Sequence, residues 1–379
     1  MRRSWTFLAL LVWVCGCTRS VAPTRSTSAV PSVPSPRGTA SPTSPEATGA
    51  MFPSALPPAS SPAATLLPSP APFRGTVPTA SPTPAEPTLA EIARWQGDWV
   101  TGLAWYPGGE VLAIGVAGGV YWVKGGDLAP PDHLALTSPV RAMALSEDGS
   151  LLAVGTGPRA ELWWKVGDEW RMRSLEGHAG GVLTVAFSPD RALLATASED
   201  GTVRLSATRD GRLLQVLTEH EGEVSAVAFA PDGRRIASAG RDRAVRLWET
   251  DTGRLAGLLL GHTDTVQALA FSPDGGLLAS ASWDGTVRLW DMARGETIGV
   301  LSDHRASLLA VDLDRRWLAT GSLDGDLRLW ELPSGRPVAM AHHGEPVWAV
   351  AVSPDGRFVA AGGWDRCVAL WALPSSVEE

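Results

Sequence analysis

Histidine, serine, threonine and aspartate recur along this chain in the combination that nucleophilic hydrolases use, so the first question is whether they meet. The seven histidines are His133, His178, His220, His262, His304, His342 and His343. With His342 left out, successive intervals are 45, 42, 42, 42 and 39 residues. Three sets of four share a common order: His220, Ser238, Asp242, Trp248; His262, Ser280, Asp284, Trp290; and His304, Thr320, Asp324, Trp330. A catalytic triad or a metal centre needs its groups within reach of one reacting atom or one ion. Residues that recur once per unit are instead dealt out to equivalent places in successive units. A buried aspartate needs donors and a buried indole N–H needs an acceptor. The expected role of these groups is therefore structural. No catalytic residue, metal ligand or cofactor is expected.

Other chemical motifs are weak or missing. Gly155-Thr-Gly-Pro-Arg-Ala160 loosely matches a dinucleotide fingerprint. It lies between strand-like runs with no helix after it, where such a loop would have no helix N-terminus to offer a phosphate. There is no HExxH, nucleophile elbow or calcium loop. Three cysteines, Cys15, Cys17 and Cys367, make neither a disulfide framework nor a four-cysteine zinc site.

The elements that carry these residues are short strands. Phe187-Ser-Pro-Asp190, Phe229-Ala-Pro-Asp232 and Phe271-Ser-Pro-Asp274 recur every 42 residues, and Val352-Ser-Pro-Asp355 is a later copy. Trp248, Trp290, Trp330 and Trp371 recur at 42, 40 and 41, with Trp122, Trp163 and Ser206 as the expected earlier equivalents. This makes seven units over residues 88–379. In one unit, residues 266–271 form a first strand and Pro273-Asp-Gly275 a turn. Residues 277–282 form a second strand, Asp284-Gly285 a tight turn, and residues 286–290 a third strand with period-two alternation. Residues 297–301 form a fourth. Four antiparallel strands per 42-residue unit, with no helical periodicity, describe an all-β, seven-bladed β-propeller.

The residues also resemble the WD-repeat family. Its marks are Gly-His before the first strand, a hydroxyl residue in the second, Asp in the tight turn and Trp-Asp closing the third; Gly261-His262, Ser280, Asp284 and Trp290-Asp291 match all four. The third repeat has Ser206 in place of Trp, the seventh has Ala361 in place of the hydroxyl, and the first two lack the Asp. The last repeat stops after its third strand, and residues 89–95 align with the fourth strands of the others. The N-terminal strand is therefore expected to close the last blade, which removes an exposed sheet edge.

The resemblance implies an interaction face with two informative positions per blade: the residue before the tight-turn Asp, and the residue before the first strand. Partner-binding candidates are Trp99, Glu223, Arg241, Trp283, Leu323 and Trp364. Tryptophans at turn positions with charged neighbours have the composition of an interface hot spot. The implied function is a non-catalytic scaffold or sensor that binds a protein or peptide on one face, with a monomeric ring. A propeller enzyme or small-ligand binder using the central channel is the alternative. It would need acids, His or Lys in the innermost strands, whereas Val185-Ala-Phe187, Val227-Ala-Phe229 and Leu269-Ala-Phe271 are apolar.

The N-terminus carries a different message. Arg2 and Arg3 precede an apolar run over 5–14, broken only by Thr6, which is too short to span a bilayer and fits a signal peptide. It ends in Val14-Cys15-Gly16-Cys17, which resembles a bacterial lipobox and implies cleavage after residue 16 and acylation of Cys17. Residues 18–87 hold 17 Pro, 12 Ser and 10 Thr among 70 residues. Such a segment cannot bury enough surface to offset its ordering entropy, so residues 17–87 are expected to be a disordered tether. The expected domains are 1–16, 17–87 and 88–379, with the propeller lipid-anchored to the membrane of a bacterial cell in an extracytoplasmic location. The net charge of −8 lies on the propeller, because residues 1–87 carry six Arg and two Glu. An acidic ring argues against nucleic acid as a partner.

Overall fold

The computed structural model describes residues 87–124 and 132–374. The expected signal peptide, Cys17 and the expected tether up to residue 86 lie outside the described residues. Seven antiparallel sheets of four strands form a ring, each ordered from the innermost strand to the outermost. Blades 1 to 6 take residues 100–135, 142–175, 182–217, 224–259, 266–301 and 308–342. Blade 7 takes three strands from 347–372, and its outermost strand is Glu91–Gln96, paired antiparallel to Cys367–Ala372. The first and last stretches of the ring thus share one sheet, so neither end of the array frays on its own.

Blade 5 shows why these residues make strands. Val266–Phe271, Leu277–Ser282, Val287–Asp291 and Glu296–Leu301 are joined by turns in which Gly275, Gly285 and Gly295 take positive φ. Only glycine adopts that region without strain from a Cβ. Blades 4 and 7 depart from this: the residue after the tight-turn Asp is Arg243 at φ 66° and Arg366 at φ 65°. The second strands alternate small residues with polar ones, and Ala279 and Ala281 are fully buried against the next blade. At the place of Ala281, blades 6 and 7 carry Gly321 and Gly362. A Cβ on either would stand 2.5 or 2.6 Å from Val347 or Val100 of the following blade. The core is therefore a circle of inter-blade layers, each made by one blade's second and third strands and the next blade's innermost strand.

Blades 1 and 2 correct two expectations. The turn between their second and third strands is one residue shorter than in blade 5, with Val116 paired to Gly119 and Thr156 to Arg159. The shortening removes the Asp position outright. It also shifts blade 1 so that Leu112 pairs with Val123 and Ala113 with Trp122. In blade 5 the pair at the first of these places is Leu278 with Trp290. Val123, not Trp122, therefore occupies the tryptophan position of blade 1, and Trp122 stacks instead on Trp170 at 5.2 Å. His133 is likewise not equivalent to the other ring histidines. It lies within the outermost strand Asp132–Ala135, exposed and stacked on Tyr121 at 5.6 Å.

Candidate functional site

The hydrogen-bonded chains come first, because they decide whether the Ser, His and Asp groups are free to react. In blade 4, Trp248 Nε1–H donates to Ser238 Oγ at 2.7 Å, Ser238 donates to His220 Nε2 at 2.6 Å, and His220 Nδ1–H donates to Asp242 at 2.8 Å. Blade 5 repeats this with Trp290, Ser280, His262 and Asp284 at 2.8, 2.7 and 2.8 Å. Blade 6 repeats it with Trp330, Thr320, His304 and Asp324 at 3.0, 2.8 and 3.1 Å. The connectivity matches a hydrolase triad, with hydroxyl to Nε2 and Nδ1 to carboxylate. Its setting does not, because Ser238, Ser280 and Thr320 are all 0% exposed and each already accepts from an indole. A nucleophile must reach a substrate carbonyl, and these cannot.

The electrostatics agree. Burial holds the His262 and His178 imidazoles below their usual range, and the partner Asp offsets this only in part, so both rings are neutral donors through Nδ1. Burial works against ionised Asp200. The hydrogen bonds from Thr202, the Ala179 N–H and His178 outweigh it and bring its carboxyl down to about 2. Asp242, Asp284 and Asp324 are lowered by the same balance. Each aspartate also ties the chain at the blade's entry, as Thr263 N–H donates to Asp284 at 3.0 Å and Arg305 N–H to Asp324 at 2.9 Å.

The incomplete blades fail in different ways. In blade 3, His178 bonds Thr196 at 2.8 Å and Asp200 at 2.9 Å, while Ser206 takes the indole's place. In blade 7, Ala361 leaves buried His343 without a hydroxyl. Asp365 approaches its Nδ1 at 3.3 Å out of hydrogen-bond alignment, so neither ring nitrogen is bonded. In blade 2, Trp163 Nε1–H donates to Glu161 at 3.1 Å. Glu161 is a buried acid that the repeat pattern did not single out, although an acid two residues before the blade's Trp, where other blades have Arg, was the signal available. Asp312 was also missed. It stands in the innermost strand Leu308–Leu313 where blades 3 to 5 have Ala. Burial pushes its carboxyl up to about 6, against N–H donors from Val352 of blade 7 at 2.8 Å and Leu313 at 2.9 Å. Both oxygens are thus committed to backbone, and Asp312 stitches two blades together.

The two sets of surface positions lie side by side. The N–H of the residue before the tight-turn Asp donates to the carbonyl of the residue before the innermost strand. The pairs are Arg241 to Glu223 at 3.0 Å, Trp283 to Thr265 at 2.9 Å and Leu323 to Ser307 at 2.9 Å. Ser307 Oγ–H also donates to the Trp283 carbonyl at 3.0 Å, which links Trp283 to the neighbourhood of Leu323. Trp364 is the most exposed of the candidate tryptophans, at 56%, and stacks on Trp348 at 5.9 Å. A bulge at the start of the innermost strand Val347–Val352 leaves Trp348 out of register, which re-aims its side chain. Arg366, two residues after Trp364, covers the exposed Trp99 ring at 5.7 Å and accepts the Gly97 N–H at 2.9 Å. Trp99, Trp348 and Trp364 therefore gather where blade 7 meets blade 1. Blades 2 to 4 present charge instead: Arg141 bonds Glu199 at 2.8 Å, and Arg241 lies beside Glu223.

Among the described residues, no three His, Cys, Asp or Glu side chains are grouped to hold a metal ion, and no helix is long and apolar enough to cross a membrane. Cys367 is a buried free thiol in the third strand of blade 7.

Comparison with known proteins supports this architecture. Residues 202–377 match the family model of the IFT122 first beta-propeller, and residues 170–205 match the WD domain, G-beta repeat. The serine-threonine kinase receptor-associated protein of Rattus norvegicus is 31% identical over 116 residues, 30% of this chain and 32% of that protein. WD repeat-containing protein SL1-17 of Schistosoma mansoni is 42% identical over 76 residues, covering 20% and 24%. Eukaryotic translation initiation factor 3 subunit I of Aspergillus oryzae is 40% identical over 67 residues, covering 17% and 20%. The alignments thus span at most about a third of the length of these relatives. Seven four-stranded blades, a Trp–hydroxyl–His–Asp chain in three of them and both matched models together support a WD-repeat propeller family for this chain.

Proposed function

We propose that this protein is a non-catalytic interaction scaffold that binds a protein or peptide on the face bearing its tight turns. One observation carries the reading: that face is divided. Blades 5, 6, 7 and 1 present Trp283, Leu323, Trp364 and Trp99 as exposed apolar anchors, while blades 2 to 4 present charged side chains. Anchors with a polar flank are the anatomy of a binding surface, since large rings bury much area at small entropic cost. The triad-like groups are bonded within their own blades and sealed from solvent, so Ser238, Ser280 and Thr320 do not supply a nucleophile.

The lipobox-like Val14-Cys15-Gly16-Cys17 supports a second part of the reading. Acylation at Cys17 and the Pro/Ser/Thr-rich segment after it would hold the ring at the outer side of a bacterial membrane, and two or more acyl chains anchor firmly. The scaffold is tested by affinity capture with partner identification, followed by direct titration of the captured protein. Trp283→Ala with Trp364→Ala should leave the melting transition in place and weaken binding at least tenfold. Unchanged binding would overturn the face assignment. The anchor is tested by fatty-acid labelling in cells, which Cys17→Ser should abolish.

A further inference from the structure

The ring carries a second surface, on its rim, far in chemistry from the aromatic face. In every blade the outermost strand turns one edge away from its own sheet, and one position on it can be compared all the way round through its register. In blade 6 that position is Met340, opposite Arg328; in blades 3, 4 and 5 it is Val216, Leu258 and Val300, opposite Arg204, Arg246 and Arg288. In blades 7, 1 and 2 it is Arg94, His133 and Ser174. The position is thus apolar in four consecutive blades and polar in the other three.

The protein already shows what the apolar position takes. Residues 87–89 lie along the edge of blade 6, with Thr88 bridged to Met340 in parallel. Leu89 N–H donates to the Met340 carbonyl at 2.9 Å, and Met340 N–H donates to the Pro87 carbonyl at 3.0 Å. Leu89 is buried by this addition and joins the core layer of blades 6 and 7. By the same register, the N–H and C=O of Val216, Leu258 and Val300 face outward, and their side chains are 40, 40 and 48% exposed. Exposed sheet edges are normally blunted with charge, lysine above all. The outermost strands of blades 3 and 4, Leu213–Leu217 and Leu255–Leu259, carry no charged residue.

We propose that the rim of blades 3 to 5 is a strand-addition site for an extended, uncharged peptide segment of the Pro-Thr-Leu type, supplied by a partner protein. The segment adds in parallel, as residues 87–89 do on blade 6, with main-chain hydrogen bonds for affinity and an apolar side chain for specificity. This site is separate from the tight-turn face, so it stands or falls independently of the scaffold reading above.

The test uses the purified full chain and a fluorescein-labelled peptide Pro-Thr-Leu-Ala-Thr-Leu, followed by anisotropy. Saturable binding that weakens at least tenfold on combining Val216→Lys, Leu258→Lys and Val300→Lys, with the melting transition retained, supports the site. So does persistence of binding in Trp283→Ala with Trp364→Ala. Should the triple variant fail to fold, single Leu258→Pro removes the outward N–H at an edge where proline is tolerated, and should weaken binding too. The proposal is overturned by absence of binding or by equal binding to the variants. It is also overturned if wild type is a dimer that the lysines dissociate, since a second copy then occupies the edge, or if the rim binds phosphatidylcholine vesicles and not the peptide.

Discussion

Blades 5 and 7 are built on the same strand register, yet only one completes its internal hydrogen-bonded chain. In blade 5 the Ser280 hydroxyl stands between Trp290 and His262 and serves both. In blade 7 the same place is Ala361, equally buried, and His343 is left in the core with neither nitrogen bonded. Trp371 and Trp290 are buried alike, and strand pairing is preserved. The difference teaches that packing and pairing suffice to form a blade, and that the polar chain is an added stabiliser. Blade 7 draws support elsewhere, from Asp312 of blade 6, which accepts the Val352 N–H.

The largest expected effect tests the shared packing. Trp290→Ala should cost about 4 kcal/mol by urea denaturation, the usual range for a fully buried aromatic truncated to Ala. Trp371→Ala should cost nearly as much. A loss below about 2 kcal/mol in either would show that the ring does not rely on its indoles.

Next comes the polar chain itself. His262→Phe strands the Ser280 hydroxyl and the Asp284 carboxylate, so it should cost about 2–3 kcal/mol, as unsatisfied buried groups do. His343→Phe breaks no hydrogen bond and should cost under about 1 kcal/mol. Equal losses in the two blades would abolish the contrast.

The pH dependence follows from the same histidines. Burial lowers the folded-state pKa of His178, His262 and His343. The unfolded chain therefore binds more protons, and stability is lost as pH falls below about 6.5. Asp200, at about 2 when folded, adds a second loss as pH falls from about 4 towards 2. Asp312→Asn removes the carboxyl that burial raises to about 6, which would gain stability on acidification; in that variant urea midpoints should be flat above pH about 7 and decline below about 6.5, and adding His343→Phe should make the first decline shallower. A midpoint that rises on acidification would reverse the sign and refute neutral buried rings.

The smallest effects are gains. Ala361→Ser supplies the hydroxyl that blade 7 lacks and should add about 1 kcal/mol, the net worth of a buried hydrogen bond. Arg243→Gly, at φ 66°, should add about 1 kcal/mol by relieving a left-handed residue with a Cβ. Ser at 361 that destabilises would mean that blade 7 has closed over the site.

The all-β ring was legible because its signals are local and repeated. Asp284-Gly285 marks a turn wherever it occurs, and Phe271-Ser-Pro-Asp274 returns at a fixed interval. The closing strand was legible from a missing piece, since the last unit lacked a fourth strand and residues 89–95 matched one. Trp122 and His133 misled because interval was used in place of register: Leu112 pairs with Val123, so Trp122 stands one place before the tryptophan position of its blade. Glu161 and Asp312 stood outside the repeat pattern: Glu161 replaces the Arg that blades 3 to 6 carry two residues before the tryptophan position, and Asp312 finds its partner in the next blade.

The sequence by itself determined the strand count, the turn chemistry and the recurrence of one His–hydroxyl–Asp set in each of blades 3 to 6, because each depends on residues close together in the chain. Only the tertiary structure decided that Trp348 joins Trp364, that Asp312 bridges two blades, and that residues 87–89 cap the rim of blade 6. Those contacts arise from bending seven sheets into a closed circle, which brings the start of the array against its end and sets neighbouring edges at one radius. Closure is a property of the whole ring, and no single repeat encodes it.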